Sequence, residues 1–199
     1  MINISFTLTD SRHRHKAGRF PSVWTICFPA LFLFWLPTTA QTADARIVRD
    51  GMVLSIGMRH AEGVGAFYAA RGFPKAMLEA IGQTCFVGVG LYNERRDTLW
   101  LELANWRFTA ADGRPVRRIT RPEWDARWQA MNAPYAARAT FDWTQLPESR
   151  DLQPGEPVGG NVAVLAPAGE FSLTARFRTG SGEVLEVTVP GLRCQEAGP

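Results

Sequence analysis

The chain is poor in the residues that most often carry chemistry, with three histidines and three cysteines among its 199 residues. Two of the histidines and one cysteine lie in the first forty residues. The sequence has no His-Glu-x-x-His motif, no Gly-x-Ser-x-Gly elbow and no phosphate-binding glycine loop. A catalytic triad would have to use His60. These absences disfavour histidine-rich metal capture, nucleotide chemistry and serine or thiol catalysis.

The sequence also lacks an apolar run long enough to cross a membrane as a helix. Its most apolar stretch, residues 23–36, is shorter than the roughly 18–20 residues that a spanning helix needs, and Pro29 interrupts it. Four basic residues precede this stretch and Thr38-Thr39-Ala40 follows it. That order predicts a cleavable signal peptide over residues 1–40 and export to the periplasm or beyond. An uncleaved anchor is the alternative, and after cleavage we expect no membrane span.

A strong excess of one charge is missing as well. The net charge of +3 comes from 22 basic and 19 acidic residues. The predicted signal holds four of the basic residues and one of the acidic ones, so the remaining chain is balanced. A nucleic-acid partner therefore has no compositional support.

Cleavage would leave two cysteines, Cys85 and Cys194. Two cysteines in an exported chain usually pair. We therefore predict a structural disulfide between them. A redox-active pair is disfavoured because the sequence has no Cys-x-x-Cys motif.

What remains, residues 41–199, has the pattern of a single mostly-β domain. Short apolar stretches alternate in period two between turn signals; Met52, Leu54, Ile56 and Met58 share one face in this way. Residues 98–108 and 138–146 are among the predicted strands, and the first places Trp106 on a face opposite its leucines. Seven or eight antiparallel strands at this spacing predict a β-sandwich.

Two helical insertions interrupt the predicted strands. The first covers residues 61–82, where apolar residues recur at helical spacing and Pro74 opens a second helix. The second covers residues 122–131, where Trp124 and Trp128 are four residues apart and share a helix face.

The strand layout resembles the immunoglobulin-like domains of exported bacterial proteins. The resemblance is carried by an Asn-containing turn at Leu91-Tyr92-Asn93, the Asp112-Gly113 turn, and a Pro-Gly-Glu loop at residues 154–156 before a glycine-rich strand. It implies an immunoglobulin-like sandwich fold and nothing about function, because that fold supports many unrelated activities.

Tryptophan and arginine are the main functional lead. Five tryptophans lie between the two cysteines, with arginines among them. These residue types are enriched in binding hot spots. We therefore expect a non-enzymatic binding or accessory module that docks a protein or an envelope component, without a cofactor. The predicted surface consists of Trp106, Arg118, Arg121 and Trp124.

Two other functions stay open. Thioether and imidazole ligands suit copper, so Met52, Met58 and His60 are candidate ligands of a copper-handling protein. A carbohydrate-active hydrolase would need two facing carboxylates. The candidates for that pair are Glu102, Asp125, Asp142, Glu148 and Asp151.

Overall fold

A computed structural model describes residues 45–165, 167 and 169–194 of the chain, and the predicted signal peptide lies outside them. The described residues belong to one compact unit. They form eleven strands and four helices, and the ladders between strands are antiparallel. The prediction of a mostly-β, antiparallel sandwich is therefore confirmed.

The strands form two sheets. The first contains β1 (Ala45–Arg49), β2 (Met52–Met58), β3 (Thr84–Asn93), β7 (Arg118–Ile119) and β9 (Pro157–Leu165) in the order β1-β2-β3-β9-β7. The second contains β4 (Leu99–Glu102), β5 (Arg107–Ala110), β6 (Pro115–Val116), β8 (Ser149–Leu152), β10 (Glu170–Thr179) and β11 (Val184–Arg193). Its order is β6-β5-β10-β4-β8, and β11 also pairs with β10.

Two apolar clusters stabilise the fold. Alternation along the strands sends one set of side chains from both sheets into a shared core, which includes Met52, Leu54, Val87, Leu173 and Phe177. The opposite face of the first sheet contributes Phe86, Ile119 and Ala163 to a second cluster, where they meet helical side chains such as Tyr68, Met77 and Phe141. The helices therefore cover part of the outer face of the first sheet.

The first predicted helical insertion is a pair of helices, α1 (Ala61–Ala69) and α2 (Lys75–Gly82). The second, predicted over residues 122–131, is the single helix α3 (Arg121–Ala130). Another helix, α4 (Tyr135–Thr144), follows α3 through Asn132 in the left-handed conformation and lies outside the predicted insertion. No helix in the described part of the chain is long and apolar enough to span a membrane.

The strand predicted over residues 138–146 is wrong, because α4 occupies most of that range. The sequence alternates through Ala139, Phe141 and Trp143, which suggested a shared strand face. In the structure Ala137 and Phe141, four residues apart, are the buried pair, and Trp143 faces solvent. The apolar residues of this short segment fit both the helical and the strand period, and tertiary packing decides in favour of the helix.

The strand predicted over residues 98–108 is divided into β4 and β5. A single 3-10 turn, Leu103–Asn105, separates them. The two halves pair with successive parts of β10. This division is one reason that the structure has more strands than the sequence predicted.

The predicted disulfide is present between Cys85 and Cys194. Their sulfurs are 2.16 Å apart and their Cα atoms 5.5 Å apart. Cys85 belongs to β3 in the first sheet, whereas Cys194 follows β11 in the second. The bond therefore joins the two sheets covalently across a sequence separation of 109 residues.

Candidate functional site

An open groove of about 650 Å³ lies between α3 and α4. Its walls come from both helices and from the segment that follows α4, including Gln145, Pro147 and Glu148. A volume of this size lies within the range of about 300–1,000 Å³ typical of ligand sites. The groove can therefore hold a small molecule or a short segment of a partner.

The first wall of the groove begins at a capping box. Thr120 Oγ1 accepts the N–H of Glu123 at 3.3 Å, and the Glu123 carboxylate accepts the N–H of Thr120 at 2.8 Å. This backbone hydrogen bond, assisted by the Arg117 guanidinium, lowers the pKa of Glu123 from 4.5 to about 2. The box fixes the first turn of α3 and with it Arg121 at the rim of the groove.

The floor of the groove is aromatic. Trp124 and Trp128 lie one turn apart on α3 and stack with ring centroids 4.8 Å apart. Phe141 of α4 packs edge-on against them, with centroid distances of 4.9 and 5.0 Å. Within the described part of the chain, the N–H groups of both indoles lack hydrogen-bond partners. Both indoles are packed against other rings and are 2% exposed, so the floor is fixed in place and neither indole is open for sugar stacking.

Charges of both signs form the rim. Arg121 Nε donates to Asp142 Oδ1 at 2.8 Å, and the backbone N–H of Arg121 donates to Glu148 Oε1 at 2.8 Å. Arg118 pairs with the same Glu148 carboxylate at 2.8 Å. Partial burial opposes ionisation of Glu148, but the bonds from Arg118 and Arg121 outweigh it and lower its pKa. A general acid needs a raised pKa, so Glu148 does not meet that requirement.

Helix α4 carries an exposed apolar stripe beside the groove. Tyr135, Ala139 and Trp143 follow one another at intervals of four residues and so share a helix face. The side chains of Tyr135 and Trp143 are 82% and 84% exposed. Below the stripe Arg138 pairs with Asp125 of α3 at 2.9 Å and links the two walls. Two large aromatic rings exposed on one helix have no role in the core described above.

A glycine lets the end of α4 rest on the first sheet. A Cβ at Gly160 of β9 would lie 2.4 Å from the backbone nitrogen of Leu146, which is far too close. Leu146 N–H donates to the carbonyl of Asn161 at 3.0 Å. Without a side chain at position 160, the backbone after α4 approaches β9 and fixes the second wall of the groove.

The structure brings two of the four predicted partner-binding residues to the lining of this groove. Arg121 lies at its rim, and Trp124 lies in its floor, where it is only 2% exposed. Arg118 does not line the groove and is connected to it through its ion pair with Glu148. Trp106 lies elsewhere. It is 6% exposed and packs edge-on against Phe177 in the core between the sheets, with centroids 5.7 Å apart. The prediction of a surface role for Trp106 is wrong, because the 3-10 turn before it resets the period-two alternation.

The structure does not assemble the predicted copper ligands. Met52 and Met58 are buried in the core at opposite ends of β2. At about 3.3 Å per residue their Cα atoms are about 20 Å apart, too far to share an ion. His60 is exposed at the start of α1. The predicted copper site is therefore wrong. Met52 and Met58 are core residues, and His60 lies on the surface.

Sequence reasoning missed the contribution of α4 to the site. Tyr135 is absent from the predicted surface, and Trp143 falls within a predicted strand. The missed signal is local: Pro134 precedes the run Tyr135 to Thr144, which contains three alanines, and Pro is common just before or at the first turn of a helix.

Neither a protein-family model nor a curated protein matches the sequence. Among solved structures, the yjhA protein from Bacillus subtilis is similar at 10% identity and a TM-score of 0.41, over 66% of this chain and 76% of that one. A candidate lipoprotein from Bacillus subtilis, ycdA, has 10% identity and a TM-score of 0.42, over 75% of this chain and 39% of that one. A FixG-related protein from Vibrio parahaemolyticus has 8% identity and a TM-score of 0.35, over 73% and 98%. At these values the similarities carry no inference about this chain.

Proposed function

We propose that the chain is an exported, non-enzymatic binding module that docks a protein partner in the groove between α3 and α4. The observation that carries the proposal is the exposure of Tyr135 and Trp143 beside that groove. Exposed aromatic side chains next to arginine are typical of the residues that dominate binding energy in protein interfaces.

The rim supports a protein rather than a purely apolar partner. Arg121 and Arg138 alternate with Asp125, Asp142 and Glu148 around the groove, so the surface offers charges of both signs. A polypeptide presents both signs and backbone hydrogen-bonding groups. Complementary charges of this kind fix the orientation of a partner more than they add affinity.

Export is supported by the disulfide. A bond between Cys85 and Cys194 is stable in an oxidising compartment and rare in a reducing cytosol. The bond agrees with the export signal predicted from residues 1–40.

The hydrolase alternative receives less support. Asp125, Asp142 and Glu148 do line the groove, but each forms an ion pair with an arginine. Glu102 does not line this groove and pairs with Arg178 in the second sheet. These carboxylates are arranged for ion pairing, which favours a binding role.

A photo-crosslinking experiment tests the proposal. A photoreactive residue replaces Ala139 in the groove, and the protein is irradiated in an envelope extract. We expect one adduct that excess unlabelled wild-type protein suppresses and that the Trp143→Ala protein fails to suppress. Val184→Ala, at an exposed apolar position of β11, is the matched competitor and should suppress it fully. Equal suppression by all three competitors would count against the groove, whereas a glycan adduct would indicate a different class of partner.

A further inference from the structure

A second concavity lies beside α1. It is a trough of about 410 Å³ along α1. His60, Gly63, Val64 and Phe67 form one wall, at the spacing of a single helix face. Thr144 and Asn161 are among the residues that complete the trough. Among the described residues, those that line it include Arg59 and His60 but no carboxylate.

Arg59 is held at one end of this trough. Its guanidinium occupies the space that a side chain at Gly88 would fill, because a Cβ there would lie 2.4 Å from Arg59 Nε. The same Nε donates to Asn161 Oδ1 at 3.3 Å. Within the described ranges no carboxylate pairs with Arg59, whereas Arg118, Arg121 and Arg138 each have one. The sheet therefore positions this positive charge, and no carboxylate among the described residues neutralises it.

A second cationic side chain extends this end of the trough. Arg59 also lines a neighbouring cavity of about 270 Å³, together with Arg46, Ser55 and Gly57. The lining of this cavity therefore includes two arginines and a serine, side chains that donate hydrogen bonds to the oxygens of a carboxylate or a phosphate.

The side chains that line the other end of the trough are apolar. Val64 is half-buried, and the Phe67 ring is 37% exposed. The Arg71 guanidinium lies 3.5 Å from the centroid of the Phe67 ring and holds the ring in place. From His60 to Phe67 the helix rises about 10 Å. The distance between the charged end and the apolar end of the trough is therefore close to the length of a short alkyl chain.

We propose that this trough binds a small anionic amphiphile, with its carboxylate or phosphate on Arg59 and its hydrocarbon chain along Val64 and Phe67. The anion forms charge-assisted hydrogen bonds with the guanidinium, and the chain removes the apolar wall from water. This site is separate from the groove between α3 and α4 and does not depend on its function.

Isothermal titration calorimetry with defined probes tests the site. Decanoate and decyl phosphate should bind the wild-type protein. Decanol and inorganic phosphate should bind at least about tenfold more weakly, because decanol lacks the anionic group and inorganic phosphate lacks the hydrocarbon chain. Arg59→Gln should weaken decanoate binding about tenfold or more. Arg107→Gln, at an exposed position of β5 in the other sheet, is the matched control and should leave it unchanged.

Filling the trough provides an independent test. A Cβ at Gly63 meets only His60 Cβ, at 3.9 Å, so Gly63→Leu projects into open space and should not lower the melting temperature. It should abolish decanoate binding. Gly65→Leu, in the same helix but outside the trough lining, should leave binding intact. Equal affinity for decanol and decanoate, unchanged binding in Arg59→Gln or in a folded Gly63→Leu protein, or no binding of either anionic probe would overturn the proposal.

Discussion

Two tryptophans show how residues of one type acquire opposite roles in this molecule. Trp106 packs on Phe177 inside the sandwich, whereas Trp143 projects from α4 and contributes little to either apolar cluster. The burial of an aromatic side chain, and not its type, decides whether it stabilises the fold or remains available to a partner.

The two tryptophans should therefore differ in their effect on stability. Trp106→Ala removes a buried ring and should lower the free energy of unfolding by about 3–5 kcal/mol. Trp143→Ala changes a surface position and should alter it by no more than about 0.5 kcal/mol. Urea denaturation of both variants checks this, and a similar loss in the two proteins would contradict the assignment.

Gly160 is a residue whose only function in the fold is to be small. A methyl group there would meet the backbone of Gln145 and Leu146, which cannot rotate away as a side chain can. Gly160→Ala should destabilise the protein by about 1–3 kcal/mol. Gly65→Ala, with nothing within 4 Å, should instead stabilise α1 by about 0.5–1 kcal/mol. Thermal melting of the pair separates the steric effect from the general effect of replacing glycine.

Among the elements, α3 and α4 define the docking surface, and their ends are fixed by polar contacts. Thr120 and Glu123 start α3, and the bond between Leu146 N–H and the Asn161 carbonyl anchors the chain after α4. The aromatic floor fills the space between the helices. The groove is thus a preformed feature with rigid walls, which lowers the entropic cost of binding.

The capping box of α3 should make stability depend on acid pH. The pKa of Glu123 is lower in the folded protein, at about 2, than its ordinary value of 4.5, because its carboxylate accepts the Thr120 N–H and contacts Arg117. A lowered carboxyl pKa stabilises the fold above the ordinary pKa, and this contribution is lost as the pH falls from about 4.5 to about 2. In Glu123→Gln the fall in melting temperature over this range should be shallower than in the wild type. An unchanged slope would contradict the role of Glu123.

Strands and helices were predictable from the sequence where the apolar residues followed only one of the two periods, that of a strand or that of a helix. The alternation in β2 and in β10 is sustained over a whole strand and is bounded by turns, so these strands were evident. Residues 138–146 satisfied two periods at once, and only tertiary packing decided between them. The immunoglobulin-like resemblance stays a prediction.

The candidate site was only partly predictable for a different reason. Three residues of the predicted surface are close in sequence and belong to types that are enriched in binding sites, so the sequence indicated them: Arg118, Arg121 and Trp124. Their partners Asp142 and Glu148 come from a later segment that folds back on β9, and no local pattern shows which distant residues meet. Whether Trp106 faces the core or the solvent depends on a three-residue 3-10 turn, which interrupts the otherwise regular alternation of the strand.

At the scale of the whole molecule, the disulfide joins the two sheets of the sandwich. The double variant Cys85→Ala/Cys194→Ala should lose about 4–5 kcal/mol of stability on the chain-entropy account of a loop of this length. Urea denaturation under oxidising conditions measures the loss. A reducing agent should destabilise the wild type and leave the double variant unchanged, and equal stability of the two oxidised proteins would contradict this role.

The two concavities give the molecule two chemically different surfaces on one helical layer. The groove between α3 and α4 has paired charges and exposed aromatic rings, whereas the trough along α1 has an apolar wall and a guanidinium that pairs with no carboxylate of the described residues. The sandwich supports both surfaces through the outer face of its first sheet. Variants in one surface should therefore leave binding at the other unchanged.

The central claim is that the groove between α3 and α4 is a docking surface, and its most direct test is the affinity for the partner captured by crosslinking from position 139. Fluorescence anisotropy should show a dissociation constant for Trp143→Ala at least about tenfold higher than that of the wild type, with Val184→Ala unchanged. Wild-type affinity in Trp143→Ala, or an equal loss in Val184→Ala, would contradict the claim.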